Sequence, residues 1–373
     1  MRQIFKIVQE NMYKVLPGVI LLTWLTLLQR LFIQPDGFFP TILNYGMFIN
    51  KYSFINMLFN MFIMTGYQLV TVLVITLSLM SALQTDLSRD HLSILVGISG
   101  LIVWNFVSNP AYINWLILPI YVGTIILPLK KVTAKWRFPL GMAISLGYAL
   151  FILIAQKIYH FNLAMFLKQS INSLIGDGTK NFVSTIIVQI ISNIFNLIGL
   201  NNISMLDEHD LNLTTANDNL VATLQHHAIP YRFTIYPMSS FLLIGGAGML
   251  LALFIALILQ WRSESVPLKW YFVGIPLIFD LWWPLAFMLP IFWQFNILKR
   301  AIFVTLTNAL IGSALLYVHL EPAVYWVPTG MPNLFFGGLA SHHFVVYIMV
   351  TVFLLVIDVV IYWPVARQLM VER

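Results

Sequence analysis

The chain has 373 residues, 60% hydrophobic and 9% charged, with a net charge of +6 and a mean hydropathy of +0.85. A soluble core of this size needs no such apolar excess, so a water-soluble globular fold is excluded. The absence of cysteine excludes disulfides, thiolate metal sites and any cysteine nucleophile or phosphoacceptor within the chain.

Residues 1–14 read as an amphipathic lead-in, with Arg2, Lys6 and Lys14 on the polar side. No small-residue cleavage site follows the first apolar run, so that run is a retained span and not a signal peptide. Apolar runs near the roughly 20 residues that a bilayer requires predict spans over 15–33, 67–84, 92–108 and 111–128. The stretch 34–66, rich in Phe, Met and Asn, reads as interfacial. Lys130, Lys131, Lys135 and Arg137 cluster after four crossings, and Arg89 follows two. The other side carries only Lys51, so the positive-inside rule puts the amino terminus in the cytoplasm. The positive charge sits in short loops, which makes it a topology signal and not a nucleic-acid footprint.

Further spans are expected over 138–156, 182–200, 241–260, 301–318 and 344–363. An amphipathic stretch, 157–181, ends in the turn-rich Gly176-Asp177-Gly178-Thr179-Lys180 and marks the domain divide. Three units follow: 1–156, an amino-terminal membrane domain; 157–181, a linker; and 182–373, a second membrane domain. Loop charges in the second half match the first only if 157–240 contributes one extra crossing.

Residues 270–293, WYFVGIPLIFDLWWPLAFMLPIFW, are apolar enough to cross a bilayer but contain Pro276, Pro284 and Pro290 and the lone acid Asp280. Proline removes backbone donors and clashes with the preceding turn, so the freed groups need protein or a wet cavity around them. One proline makes a kink; three predict a re-entrant hairpin, with its tip near Leu281 to Pro284 and facing a cavity in the second half. Broken helices of this kind line substrate sites in secondary transporters, and an intramembrane carboxylate is a functional candidate.

The most polar internal stretch, 201–232, runs on to Gly245-Gly246-Ala247-Gly248 at the head of a span. Its amides and carboxylates fit an outside loop, and equally fit sugar hydroxyls, which need paired donors and acceptors beside an aromatic face.

Several of these patterns together resemble the membrane component, enzyme IIC, of phosphoenolpyruvate-dependent sugar phosphotransferase systems, in the lactose/cellobiose/diacetylchitobiose branch. Gly199-Leu200-Asn201-Asn202 stands where the family has Gly-Ile-His-Gly, and Asn217-Asp218-Asn219-Leu220-Val221-Ala222 matches a later Asn-rich segment. Gly245-Gly246-Ala247-Gly248 is similar to Gly-Gly-Ser-Gly. Trp282-Trp283-Pro284, followed by Pro290, falls on the family's Asn-Glu-Pro and its later proline. Val327-Pro328-Thr329-Gly330-Met331-Pro332 and Ile361-Tyr362-Trp363-Pro364 resemble Val-Pro-Trp-Thr-Thr-Pro and Ile-Tyr-Tyr-Pro.

The resemblance implies an all-α polytopic membrane protein of about ten transmembrane helices with re-entrant hairpins, arranged in two domains. It also implies a homodimer formed by the first domain, and an elevator-like movement of the second that delivers a saccharide to the cytoplasm of a bacterial cell. Separate IIB and IIA proteins are the implied partners beside membrane lipid, with no cofactor. The implied substrate-binding residues are Asn201, Asn202, Asn217, Asn219, Asp280, Trp282 and Trp283.

Two departures bear on chemistry. Asn201 replaces the family's histidine, and Trp283 replaces the glutamate that contacts the hydroxyl to be phosphorylated. Tryptophan neither accepts that proton nor pairs a hydroxyl as a carboxylate does. The expected function is a sugar permease with altered phosphorylation chemistry; the alternative is a non-transporting relative acting as sugar sensor or membrane partner. A transferase using His342 or His343 lacks a clear paired acid. The adjacent pairs His226-His227 and His342-His343 do not share a helical face, so no metal site is expected. Asp358 is an intramembrane acid whose expected partner is Arg30 or a backbone amide.

Overall fold

A computed structural model describes residues 2–51, 53–84, 94, 96–98, 100, 115, 117–159, 182–199, 214–261, 266–318 and 320–371. Among them the chain is helical without strands; a lone parallel bridge joins Gly37 to Thr329. The first half holds α1 (Arg2–Lys14), α2 (Leu16–Leu28), α3 (Phe38–Ile42), α4 (Gly46–Lys51), α5 (Ser53–Leu83), α6 (Ile117–Leu129) and α7 (Ala134–Tyr159). The second holds α8 (Phe182–Ile198), α9 (Thr214–Leu224), α10 (Ile235–Leu242), α11 (Leu250–Leu259), α12 (Leu268–Ile278) and α13 (Trp283–Met288). It closes with α14 (Phe295–Tyr317), α15 (Asn333–Leu339) and α16 (Phe344–Val371).

Local chemistry sets several boundaries. Pro17 lies in the first turn of α2, where its missing N–H costs no helical bond, and α1 stops just before it. Helix α5 runs 31 residues, about 46 Å at 1.5 Å per residue, because no proline interrupts it. Residues 53–66 therefore belong to the same helix as the expected span 67–84. Most of 92–108 and of the linker 157–181 lies outside the described residues.

Five helical stretches among the described residues are long and apolar enough to cross a membrane: Leu16–Ile33, Ser53–Leu83, Ile235–Leu259, Phe295–Tyr317 and Phe344–Met370. Their burial separates them. The most apolar 18-residue window of Ile235–Leu259 is 78% buried, whereas that of Phe344–Met370 is only 28% buried, the pattern of a central helix and a peripheral one. A single buried apolar cluster runs from Ile4 through Trp115, Leu250 and Phe287 to Leu369, so packing is continuous from first helix to last.

Helices α14 and α16 pack antiparallel. Asn296 Nδ2 donates to Gln368 Oε1 at one end (3.2 Å), and twelve residues further along α14 Asn308 Nδ2 donates to Asp358 Oδ2 (3.0 Å). The partner of Asp358 is thus a side-chain amide and not Arg30. Both residues are fully buried.

Candidate functional site

The central span breaks where the glycines stand. After α10 ends at Leu242, Gly245, Gly246 and Gly248 take φ of +74°, +79° and +63°, and Met249 follows at +52°. Glycine reaches this region without a Cβ penalty. The break strands backbone groups in the apolar interior, where each needs a partner. Four side chains supply them. Gly248 N–H donates to Asn193 Oδ1 (2.9 Å), and Asn193 Nδ2 donates to Thr305 Oγ1 (2.9 Å). The Gly248 carbonyl accepts from the Tyr362 hydroxyl. Leu242 and Leu243 carbonyls accept from Gln189 Nε2 (3.4 Å) and Asn333 Nδ2 (3.0 Å).

The stretch 270–293 is broken as well. It forms α12, a turn at 279–282 and the six-residue α13, not one continuous helix. Asp280 takes a left-handed φ of +64°, a conformation aspartate tolerates better than most residues. Leu281 N–H donates to the Pro276 carbonyl (3.0 Å) and closes the turn. The turn lies two residues before the expected tip at Leu281 to Pro284, since Trp283 and Pro284 already open α13, and α13 packs on α1 and α2 of the first half. Trp115 contacts Phe287 edge to face at 4.7 Å, and Phe5 contacts Trp293 at 4.7 Å. The segment therefore bridges the halves, its α13 arm resting on the first while Asp280 at the turn meets the second.

The two breaks meet. A Cβ added at Gly246 would sit 3.1 Å from the Asp280 carbonyl oxygen and 3.1 Å from Trp282 Cδ1, so the glycine allows the hairpin tip to approach. Asp280 Oδ2 accepts from the Asn333 N–H (2.7 Å) at the start of α15. The end of α8 joins at the hairpin's exit: Trp293 donates its backbone N–H to the Leu197 carbonyl (3.3 Å) and its indole N–H to Ile198 (2.9 Å). A Cβ at Gly248 would meet Leu197 Cδ1 at 3.2 Å.

The seven expected site residues divide. Asp280, Trp282 and Trp283 share the turn; Trp282 and Trp283 stack with ring centroids 4.3 Å apart and planes 22° apart. Trp282 is buried with its edge on Phe292, whereas Trp283 is partly exposed and lies 6.5 Å from Trp115. Asn219 is buried with its amide on the Tyr231 backbone, donating to the carbonyl (2.8 Å) and accepting from the N–H (2.9 Å). It holds a loop closed, so its side chain is committed away from a ligand. Asn217 is exposed. Asn201 and Asn202 lie outside the described residues.

Gln189, Asn193, Thr305 and Asn333 were missed. Their signal was available, since Gln189 and Asn193 are amides four residues apart on an apolar helix and so share one face. Among the described residues no cluster of three His, Asp or Glu is placed to hold a metal. His343 pairs with Glu321 (3.3 Å) and His342 with the Tyr325 hydroxyl (2.6 Å), both exposed.

Fold and site together define an all-helical polytopic membrane protein built around a broken central helix. No family model matches the chain, and no curated protein does. Among solved structures it is similar to the crystal structure of the transporter ChbC, the IIC component from the N,N'-diacetylchitobiose-specific phosphotransferase system. Identity is 14% and the TM-score 0.45, with 100% of this chain and 95% of that chain covered.

Proposed function

We propose that the chain is a IIC-type saccharide permease whose site lies where α8, the glycine break and the 279–282 turn converge. The observation that carries this reading is the contact of Gly246 with Asp280 and Trp282, two sequence motifs 34 residues apart meeting at two helix breaks. Broken helices inside a membrane line solute sites in secondary transporters, and the tryptophan pair adds an aromatic face for a sugar ring.

In this reading Asp280 does not replace the missing glutamate, because its carboxylate caps α15. The site binds a disaccharide or β-glucoside by stacking and amide contacts, and gives its hydroxyl no base. Residues 1–156 form the dimer interface, 157–181 the linker and 182–373 the transport domain, with the amino terminus in the cytoplasm; IIB and IIA are partners only where phosphorylation is retained. Uptake of radiolabelled cellobiose and diacetylchitobiose into vesicles, with and without phosphorylated IIB, is the direct test. Uptake that does not need IIB supports the reading. Binding without uptake favours a sugar sensor, and neither binding nor uptake removes the proposal.

A further inference from the structure

The end of the α14–α16 pair carries a feature that the saccharide site does not use. A cleft of about 480 Å³ opens there, lined by Asn296, Lys299, Arg300 and Phe303 of α14 and by Pro364, Val365 and Gln368 of α16. The Asn296–Gln368 hydrogen bond links the two helices at this end. Lys299 is exposed, with Nζ 4.4 Å from the Phe295 ring centre, and Arg300 is half-buried. Among the described residues no acidic side chain lines the cleft, and the sequence from Leu281 to Leu320 contains none. Among the described residues neither cation makes an ion pair.

We propose that this cleft binds the headgroup of an anionic phospholipid. Two adjacent cations complement a phosphodiester, which offers negative charge and acceptor oxygens. What commits the site to a lipid, and not to a soluble phosphate, is the surface that continues from it. Phe303, Leu306 and Leu310 on α14 are exposed, as are Val360, Val356 and Phe353 on α16. From Lys299 to Leu310 is eleven residues, about 16 Å along the helix, the depth of one hydrocarbon leaflet. Trp363, also exposed, stands one residue before Pro364 at the cleft, the level at which tryptophan favours the membrane interface. The site follows from the membrane fold and holds whether or not the chain moves a saccharide.

Native mass spectrometry of the purified full chain, titrated with phosphatidylglycerol or phosphatidylcholine of equal acyl length, tests it. The expected result is at least about tenfold tighter retention of phosphatidylglycerol, lost in Lys299→Ala/Arg300→Ala and kept in Lys299→Arg/Arg300→Lys. Lys130→Ala/Lys131→Ala, at residues that do not line the cleft, should leave this discrimination unchanged. Equal retention of the two lipids by the native chain overturns the proposal, as does a double alanine variant that still discriminates between them. If glycerol phosphate displaces phosphatidylglycerol at equal concentration, the apolar surface contributes nothing and the lipid assignment falls.

Discussion

The carboxylate of Asp280 lies 2.7 Å from the backbone nitrogen of Asn333, tying the turn between two broken helices to the first residue of a third. A side chain that sequence alone offers for solute or proton chemistry is thereby engaged as a helix cap. It also occupies a left-handed backbone position, so one residue performs two separable tasks.

Three substitutions separate those tasks. Asp280→Asn keeps an acceptor and tolerates the backbone, Asp280→Gly keeps only the backbone, and Asp280→Ala keeps neither. Losing the cap costs about 1 kcal/mol, and a non-glycine left-handed residue roughly 1–2 kcal/mol more. Melting temperatures in detergent should fall in the order native, Asn, Gly, Ala; alanine above glycine would show that the positive φ carries no strain.

The buried pair Asn308–Asp358 invites a double-substitution cycle. Asp358→Leu strands the Asn308 amide, and Asn308→Leu strands the carboxylate; each should destabilise the protein by about 1–3 kcal/mol or more. Replacing both with leucine removes both orphans, so the double variant should be more stable than either single one. Additive losses in thermal unfolding would mean the two side chains do not act as a unit.

Trp283 is the half-buried member of the stacked pair and the one expected to meet a sugar ring. Trp283→Ala should weaken saccharide binding by between about twofold and tenfold, the usual worth of an aromatic contact. Trp283→Glu together with Asn201→His should raise IIB-dependent phosphorylation if the remaining machinery is intact. Isothermal titration and a phosphoryl-transfer assay read the two effects, and unchanged affinity in the alanine variant would move the site elsewhere.

The contact of His343 with Glu321 is a surface pair, its side chains 52% and 26% exposed. Such pairs contribute roughly 0–1 kcal/mol. Glu321→Gln and His343→Ala should each leave the melting temperature and saccharide uptake near native values. A large loss of activity in either would revive a chemical role for this dyad.

The helical membrane class was legible in composition, and the break within 270–293 in three prolines, although the turn falls two residues before the tip they suggested. The continuity of 53–66 with the span 67–84 was not legible: Phe, Met and Asn suggested an interface, whereas the absence of proline lets one helix run through both. The fate of Asn219 was illegible, since its partner is a backbone twelve residues away and any polar loop looks equally free to bind. Asp280 was found as a candidate, but its engagement depends on Asn333, a contact 53 residues distant that no local pattern encodes.

The break in the central helix also sets an order of assembly during synthesis. Its amide partner Asn193 is already made when Gly248 emerges, 55 residues earlier in the chain. The acceptors are different: the Leu243 carbonyl waits 90 residues for Asn333, and the Gly248 carbonyl 114 residues for Tyr362. Until then the uninterrupted apolar run Ile235–Leu259 is free to insert as a plain spanning helix. Its final bent shape is completed only when the last helix arrives, so a ribosome that stops short of Tyr362 leaves a membrane-inserted chain with its centre unfinished.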